Sequence, residues 1–269
     1  MCGSYRLSAE DSATISAILE EISKRYPEEA GYVQESLLDG PITIYPDQKV
    51  PLLRGPQAAP VLMPWGYPGF DGGRSIINAR GETVTEKRYF ADSMSERRCI
   101  IPTSGFHEWD DDKKRHLFTL EGEDTVYLAG IYKEFDGQER CCIITTAPNG
   151  SVAPIHNRMP LVLRQEQLRL WLESPEEAAA MLDEVPPALE VKDAPRGPED
   201  KKPKGTGTAT SSAGGDAGQL TLWQDASPVA SAPAGSTRAE SAPSTPASPA
   251  SRLSLYCDGG CRGDRKSVV

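Results

Sequence analysis

Arg98-Cys99-Ile100-Ile101-Pro102 runs without a break into Thr103-Ser104-Gly105-Phe106-His107-Glu108-Trp109. The first part is a short, mostly apolar run closed by proline, the pattern of a buried β-strand. The second part sets a carboxylate among aromatic and imidazole side chains, just past a glycine. Strand-like runs recur on both sides of this stretch. Ile42–Tyr45, Lys49–Arg54, Ala59–Met63, His116–Leu120, Thr125–Ile131, Cys141–Thr146 and Pro160–Leu163 are apolar or alternating, each bounded by Gly, Pro, Asp or Asn. The chain therefore reads as mainly β. Three helices are expected beside the strands. The first spans roughly Ser12–Arg25, with Ile15, Ile18, Leu19 and Ile22 on one face and Asp11 as N-cap. The second covers about Gln165–Leu172. The third starts after Ser174, whose spacing to Glu177 suits a capping box and whose neighbour Pro175 suits the first helical position. The expected class is α+β: a mainly antiparallel, curved or barrel-like sheet with a few flanking helices.

Composition changes near residue 193. Beyond it lies an Ala/Ser/Pro/Thr-rich stretch with few large apolar side chains, which cannot offset the entropy of ordering its backbone. The expected organisation is a folded domain over residues 1–193, a disordered linker over 194–251 and a short remnant over 252–269. The formal net charge of the 269-residue chain is -10. Phosphate neutralisation supplies most non-specific affinity for nucleic acid, so any such contact here must come from a local basic patch. No segment has the length and apolarity of a membrane span, and the N-terminus lacks a signal-type apolar run. A cytoplasmic protein with reduced thiols, a monomer with no membrane partner, is expected. Of the six cysteines, Cys99, Cys141 and Cys142 sit in apolar runs and read as small core residues. Cys257 and Cys261 lack a partner pair for zinc.

Four segments carry reactive or polar groups. Removing Met1 from Met1-Cys2-Gly3 would expose a 1,2-aminothiol. An α-amine titrates near ~7.7–8.0 and a thiol near ~8.5, so both are partly nucleophilic at neutral pH. With an aldehyde the amine forms an imine, and the thiol closes a five-membered thiazolidine. The alternative reading of Cys2 is a frayed terminus. Ile76-Ile77-Asn78-Ala79-Arg80 delivers an amide that can hold an amine or carbonyl and a guanidinium suited to phosphate. In the 102–109 stretch, Glu108 between aromatics is a candidate for a raised pKa and for general acid–base work. Pro154-Ile155-His156-Asn157-Arg158-Met159-Pro160 places one of only three histidines in a polar, proline-bounded turn.

Together, Met-Cys-Gly, Ile-Asn-Ala-Arg, Ser-Gly-Phe-His-Glu-Trp and Ile-His-Asn-Arg-Met-Pro resemble, in order and approximate spacing, the SOS-response-associated peptidase (SRAP) family. Ile44-Tyr45-Pro46, Trp65-Gly66-Tyr67 and Arg98–Pro102 fit the same pattern, and the resemblance covers about residues 2–172. It implies self-removal of Met1 and a thiazolidine crosslink from Cys2 to the ring-opened aldehyde of an abasic site in single-stranded DNA, shielding the lesion from strand cleavage. It implies catalytic roles for Cys2 as nucleophile, Asn78 in orienting the amine or sugar, Glu108 as general acid/base and His156 in proton transfer. It implies DNA contacts from Arg80, Arg158, Trp65, Trp109 and Pro46, and no metal or organic cofactor. Arg74, Arg80, Lys87, Arg88, Arg97, Arg98 and Arg158 are expected to form a basic groove near these segments. Three positions depart from the family pattern: Ser4 stands where an Arg is usual, Asn157 where an Asp is common, and His107 where an aromatic is common.

The tail holds two further resemblances. Gln219-Leu220-Thr221-Leu222-Trp223 is similar to the short bacterial peptide that binds the replication sliding clamp, with Gln219, Leu220, Leu222 and Trp223 as contacts. Leu255–Gly263 resembles the first strand and turn of ribonuclease H, but six residues after it cannot build that fold. Two competing functions use the same residues differently: a Cys2-dependent peptidase acting on other proteins, and a non-catalytic adaptor tethered to the clamp.

Overall fold

The run from Cys141 to Ile144 shows how the fold is layered. In the computed structural model, which describes residues 2–28, 40–197 and 200, Cys141 and Ile143 enter one core cluster while Cys142 and Ile144 enter another. Side chains alternate across a strand, so a strand that is apolar at every position is buried on both faces. Cys99 and Ile101 split from Ile100 in the same way.

The chain begins with β1 (Ser4–Leu7) and α1 (Ala13–Arg25). Next come β2 (Ile42–Ile44), β3 (Lys49–Arg54), β4 (Ala59–Pro64), β5 (Asn78–Arg80) and the short helices α2 (Gly81–Val84) and α3 (Ala91–Glu96). The long central strands are β6 (Arg98–Thr103), β7 (Gly105–Trp109), β8 (Arg115–Thr119), β9 (Val126–Phe135) and β10 (Gln138–Thr146). β11 (Met159–Pro160), β12 (Val162–Leu163), α4 (Leu168–Glu173), α5 (Pro175–Met181) and β13 (Glu190–Asp193) follow.

One sheet has the order β13-β8-β7-β1-β2. The other runs β11-β10-β9-β6-β3-β4, with β12 on β9 and β5 on β10. β5 and β10 pair in parallel, and the other pairs of these strands are antiparallel. The α+β reading holds, but neither sheet closes on itself as a barrel would. Tyr5, Phe106 and Phe118 of the smaller sheet share a core with Val50, Leu52, Cys99, Ile101 and Leu128 of the larger. The other face of the larger sheet meets Ile18, Ile22, Met94, Trp171 and Met181 from the helices. Cys99, Cys141 and Cys142 are fully buried.

α1 buries the four residues its periodicity marks, but its cap is Ser12, not Asp11. Ser12 Oγ accepts the Ile15 N–H at 3.0 Å, whereas the Asp11 carboxylate is engaged by Arg6 at 2.7 Å. The second expected helix begins as a 3-10 turn over Gln165–Gln167 before α4. Ser174 caps α5 by accepting the Glu177 N–H at 3.2 Å, with Pro175 inside the first turn.

Arg98 does not line a basic groove. Its side chain turns inward, where Nε donates to the Trp171 carbonyl at 2.5 Å and Nη1 to the Met94 carbonyl at 2.8 Å. Nη2 reaches the Leu172 carbonyl at 3.3 Å. These are last-turn carbonyls of α3 and α4, which have no partner within their own helices. Arg98→Met keeps the apolar stem but orphans them, so urea unfolding should show a loss of about 3 kcal/mol. An unmoved midpoint would contradict this role.

The packed chain continues past the composition break at Asp193. Arg115 Nε donates to the Ala194 carbonyl at 2.7 Å and Nη2 to that of Pro195 at 3.0 Å. Arg115 Nη1 pairs with Asp200 at 2.5 Å, and the Tyr45 hydroxyl donates to the same carboxylate at 3.0 Å. The segment after β13 thus straps β8 to β2. The clamp-like peptide at Gln219–Trp223, both tail cysteines and the 252–269 remnant lie outside the described residues.

Candidate active site

β1 and β7 pair with Ser4 opposite His107 and Tyr5 opposite Phe106. This pairing draws the N-terminus toward the strand that carries Glu108. Gly105, where β7 begins, has φ +138, and a Cβ there would meet the Phe118 carbonyl oxygen at 2.7 Å. Only glycine suits that conformation and that approach.

Cys2 is 0% exposed. Its thiol lies 3.6 Å from the Ser4 carbonyl, and its own carbonyl accepts from Asn78 Nδ2 at 3.0 Å. Asn78 is delivered by β5, which pairs with β10 at Ile143. Trp65 supports that delivery by donating from Nε1 to the Ile77 carbonyl at 3.0 Å. The Asn78 Oδ1 is buried and has no hydrogen-bond partner among the described residues. Asn78 thus sets a buried amide beside Cys2.

Glu108 is 1% exposed. Burial raises its carboxyl to about 7, against the pull of the chain's positive amino terminus. Burial likewise pushes the Cys2 thiol well above its ordinary range, and the charge of Glu108 adds to that shift. The thiol is therefore protonated at neutral pH, and the neighbouring carboxyl titrates where it can take that proton. His156 Nε2 stands 3.8 Å from Glu108 Oε2. The Arg158 N–H donates to His156 Nδ1 at 3.1 Å. Nδ1 also lies 3.0 Å from the Arg158 carbonyl, so the tautomer decides whether it accepts from that N–H or donates to that oxygen. Burial lowers the His156 pKa, so the ring is neutral near pH 7. Asn149 shapes the turn that carries His156, accepting from the Ser151 and Val152 N–H groups at 3.1 Å each.

The structure thus brings Cys2, Asn78, Glu108 and His156 together and distributes the expected DNA-contacting residues differently. Arg80 is exposed. Arg158 is held by Glu82, at 2.9 Å for one arm of the fork, and by the Thr145 carbonyl at 2.7 Å. Arg97 leans on Glu96 at 3.2 Å. Arg74, Lys87 and Arg88 are exposed like Arg80, whereas Arg98 is buried. Trp65 is fully buried against Tyr5, ring centroids 5.4 Å apart, and offers no edge to solvent. Pro46 is partly buried. Trp109 is also partly buried and lines a cavity of about 720 Å³ with Lys113, Lys114, Arg115, Asp193, Pro195 and Arg196. Strand alternation puts that cavity on the face of β7 opposite Glu108, so it is separate from the Cys2 site.

Phe70 escaped the reading of the sequence. It is 67% exposed and rests on Tyr89, with centroids 4.9 Å apart. Tyr89 donates its hydroxyl to the Pro68 carbonyl at 2.6 Å, and Lys133 lies 5.7 Å above the Tyr89 ring. The available signal was an aromatic set between glycines, Gly69-Phe70-Asp71-Gly72, with no alternating apolar partner to bury it. Gly69 is required there, since a Cβ would fall 2.3 Å from the Arg74 carbonyl oxygen.

The model of the SOS response associated peptidase (SRAP) family matches residues 1–194. A Bacillus subtilis protein named abasic site processing protein YoqW is 38% identical over 109 residues, 37% of this chain and 49% of its own length. The chain thus spans about half the length of that relative. The Escherichia coli protein named abasic site processing protein YedK is 31% identical over 182 residues, covering 64% of this chain and 79% of that protein. A solved Bacteroides thetaiotaomicron structure is similar with a TM-score of 0.51 at 25% identity, over 59% of this chain and 82% of that one. A Bordetella bronchiseptica structure gives a TM-score of 0.52 at 18% identity, over 57% and 87%, which speaks to the fold alone.

Proposed function

Because the chain belongs to the SOS response associated peptidase (SRAP) family, we propose that it processes abasic sites in single-stranded DNA and captures them covalently through Cys2. The observation that carries this reading is the enclosed Cys2, held by Asn78 and beside a Glu108 whose pKa burial raises to about 7. The names of the Bacillus and Escherichia coli relatives support the substrate class.

The chemistry has three steps. Water first cleaves the Met1–Cys2 peptide bond, releasing methionine and leaving the Cys2 amine free. That amine then adds to the C1 aldehyde of the opened sugar, and loss of water gives an imine. Finally the thiol adds across the C=N bond, its proton ending on nitrogen, and the thiazolidine ring closes. Glu108 takes the thiol proton and returns it to nitrogen, as a group with a pKa near the working pH does best. His156 passes protons between Glu108 and the sugar oxygen. Asn78 holds the Cys2 carbonyl through Nδ2 and offers Oδ1 to the amine or a sugar hydroxyl. Phe70 and the exposed cations Arg74, Arg80, Lys87 and Arg88 suit a single strand, which binds by base stacking on aromatics and by phosphate contacts.

The test mixes untagged protein with an oligonucleotide carrying one abasic site and resolves the products on a denaturing gel. A shifted band is expected. It should be absent with an intact-base strand and with protein whose Cys2 amine is capped by an N-terminal extension, and mass spectrometry should place the adduct on residue 2. Absence of the band from protein shown to begin at Cys2 would end this reading.

A further inference from the structure

We propose that His107 is a positioning residue that fixes the Cys2 nucleophile by clamping Ser4, a role that rests on the abasic-site reading above. Chain termini fray unless tied down, and a nucleophile misplaced by about 1 Å can lose about a hundredfold in rate. The Ser4–His107 pair is the last cross-strand register position before the free end. There Ser4 Oγ and His107 Nδ1 are 3.2 Å apart, and both side chains are buried. The Ser4 carbonyl faces the Cys2 thiol at 3.6 Å, so one residue is tied to the nucleophile on one side and to β7 on the other. The next residue along β7 is Glu108. The clamp therefore sets the spacing between thiol and carboxyl through two adjacent positions of one strand.

Three features suit His107 to this task. Burial and the Arg115 charge hold its pKa down at about 4, so the ring stays neutral across the working pH range. A neutral imidazole leaves one nitrogen free to accept the Ser4 hydroxyl. The pair lies on the strap side of the sheet, where Arg115 and Asp200 act on it electrostatically. Ser4 and His107 are also two of the positions where the sequence departs from the family pattern, and the two departures meet each other.

The experiment measures the single-turnover crosslinking rate at saturating abasic DNA, affinity for an intact strand, and amide hydrogen exchange at Gly3 and Ser4. The variants are Ser4→Ala, His107→Phe, their double, and His107→Asn, which keeps an acceptor near the Nδ1 position. Ser4→Ala and His107→Phe should each slow crosslinking about tenfold, the worth of one buried hydrogen bond. Intact-strand affinity should be unchanged, and exchange at Gly3 and Ser4 should quicken. The double should be no slower than either single, and His107→Asn should recover most of the rate. A wild-type rate in both singles, a multiplicative double, or a rate loss matched by an affinity loss would overturn the proposal. If His107→Phe fails to fold, Ser4→Ala and His107→Asn decide the matter. A wild type that gives no crosslink removes the abasic-site reading. Exchange then still tests the clamp, and unchanged exchange in Ser4→Ala removes it too.

Discussion

Glu108→Gln is expected to make the protein slower and more stable at once. The glutamine cannot take the thiol proton, so the crosslinking rate should fall about a hundredfold or more. Its stability effect follows from burial. An unfolded glutamate ionises near ~4.3, whereas Glu108 in the fold titrates at about 7. Between those values the folded state holds a proton that the unfolded state has shed, so stability falls as pH rises through the window and levels off above it. The wild type therefore carries a penalty of about 4 kcal/mol at pH 8 that Glu108→Gln lacks. Urea unfolding at pH 4 should show the two proteins alike, and at pH 8 the variant should be ahead. The wild-type crosslinking rate should also rise with pH up to about 7, and the variant's should not. Equal stability at pH 8 would mean that the Glu108 carboxyl is not desolvated as described.

Asp200→Ala is expected to cost about 3 kcal/mol, because it leaves the Arg115 guanidinium buried without its counter-charge. The Arg115 side chain is only 3% exposed and that of Asp200 11%. Burial pushes the Asp200 pKa up, but hydrogen bonds from Arg115, Gly197, Thr43 and Tyr45 outweigh it and hold the carboxyl well below its usual range. The stability that Asp200 confers is present above the ordinary aspartate range, near ~3.9, and is lost as pH falls below it. Asp200→Ala should therefore flatten the acid limb of the stability curve. Arg115→Met combined with Asp200→Ala should recover much of the loss, since apolar replacement of a whole buried pair is tolerated. A midpoint unmoved by Asp200→Ala would show that the strap carries no load.

The long strands were legible because their apolar runs are buried on both faces, as at Cys99–Ile101 and Cys141–Ile144. α1 was legible from its stripe, while its cap was displaced by one residue because Asp11 has a stronger partner in Arg6. α2 and α3 have four and six residues, too few to show a period. β7 hid because Glu108 and His107 occupy positions that a structural strand would fill with apolar groups. β13 hid because it is largely solvated. Within the site, residue types pointed to the four groups that meet. The burial of individual arginines and aromatics was not legible in the sequence. Nothing in it distinguishes the inward Arg98 from the outward Arg80, or the buried Trp65 from the exposed Phe70.

The enclosure of Cys2 also bears on what the protein leaves alone. Peroxides and disulfides attack thiolates that are exposed and ionised. A thiol that is out of water and held protonated by its surroundings is a poor target for all of them. An abasic site differs from those bystanders in arriving on a strand that can spend its phosphate and base contacts to bring the aldehyde in. Under the proposed function, discrimination between the lesion and such thiol-directed oxidants is thus placed in the resting protein, before any bond is made.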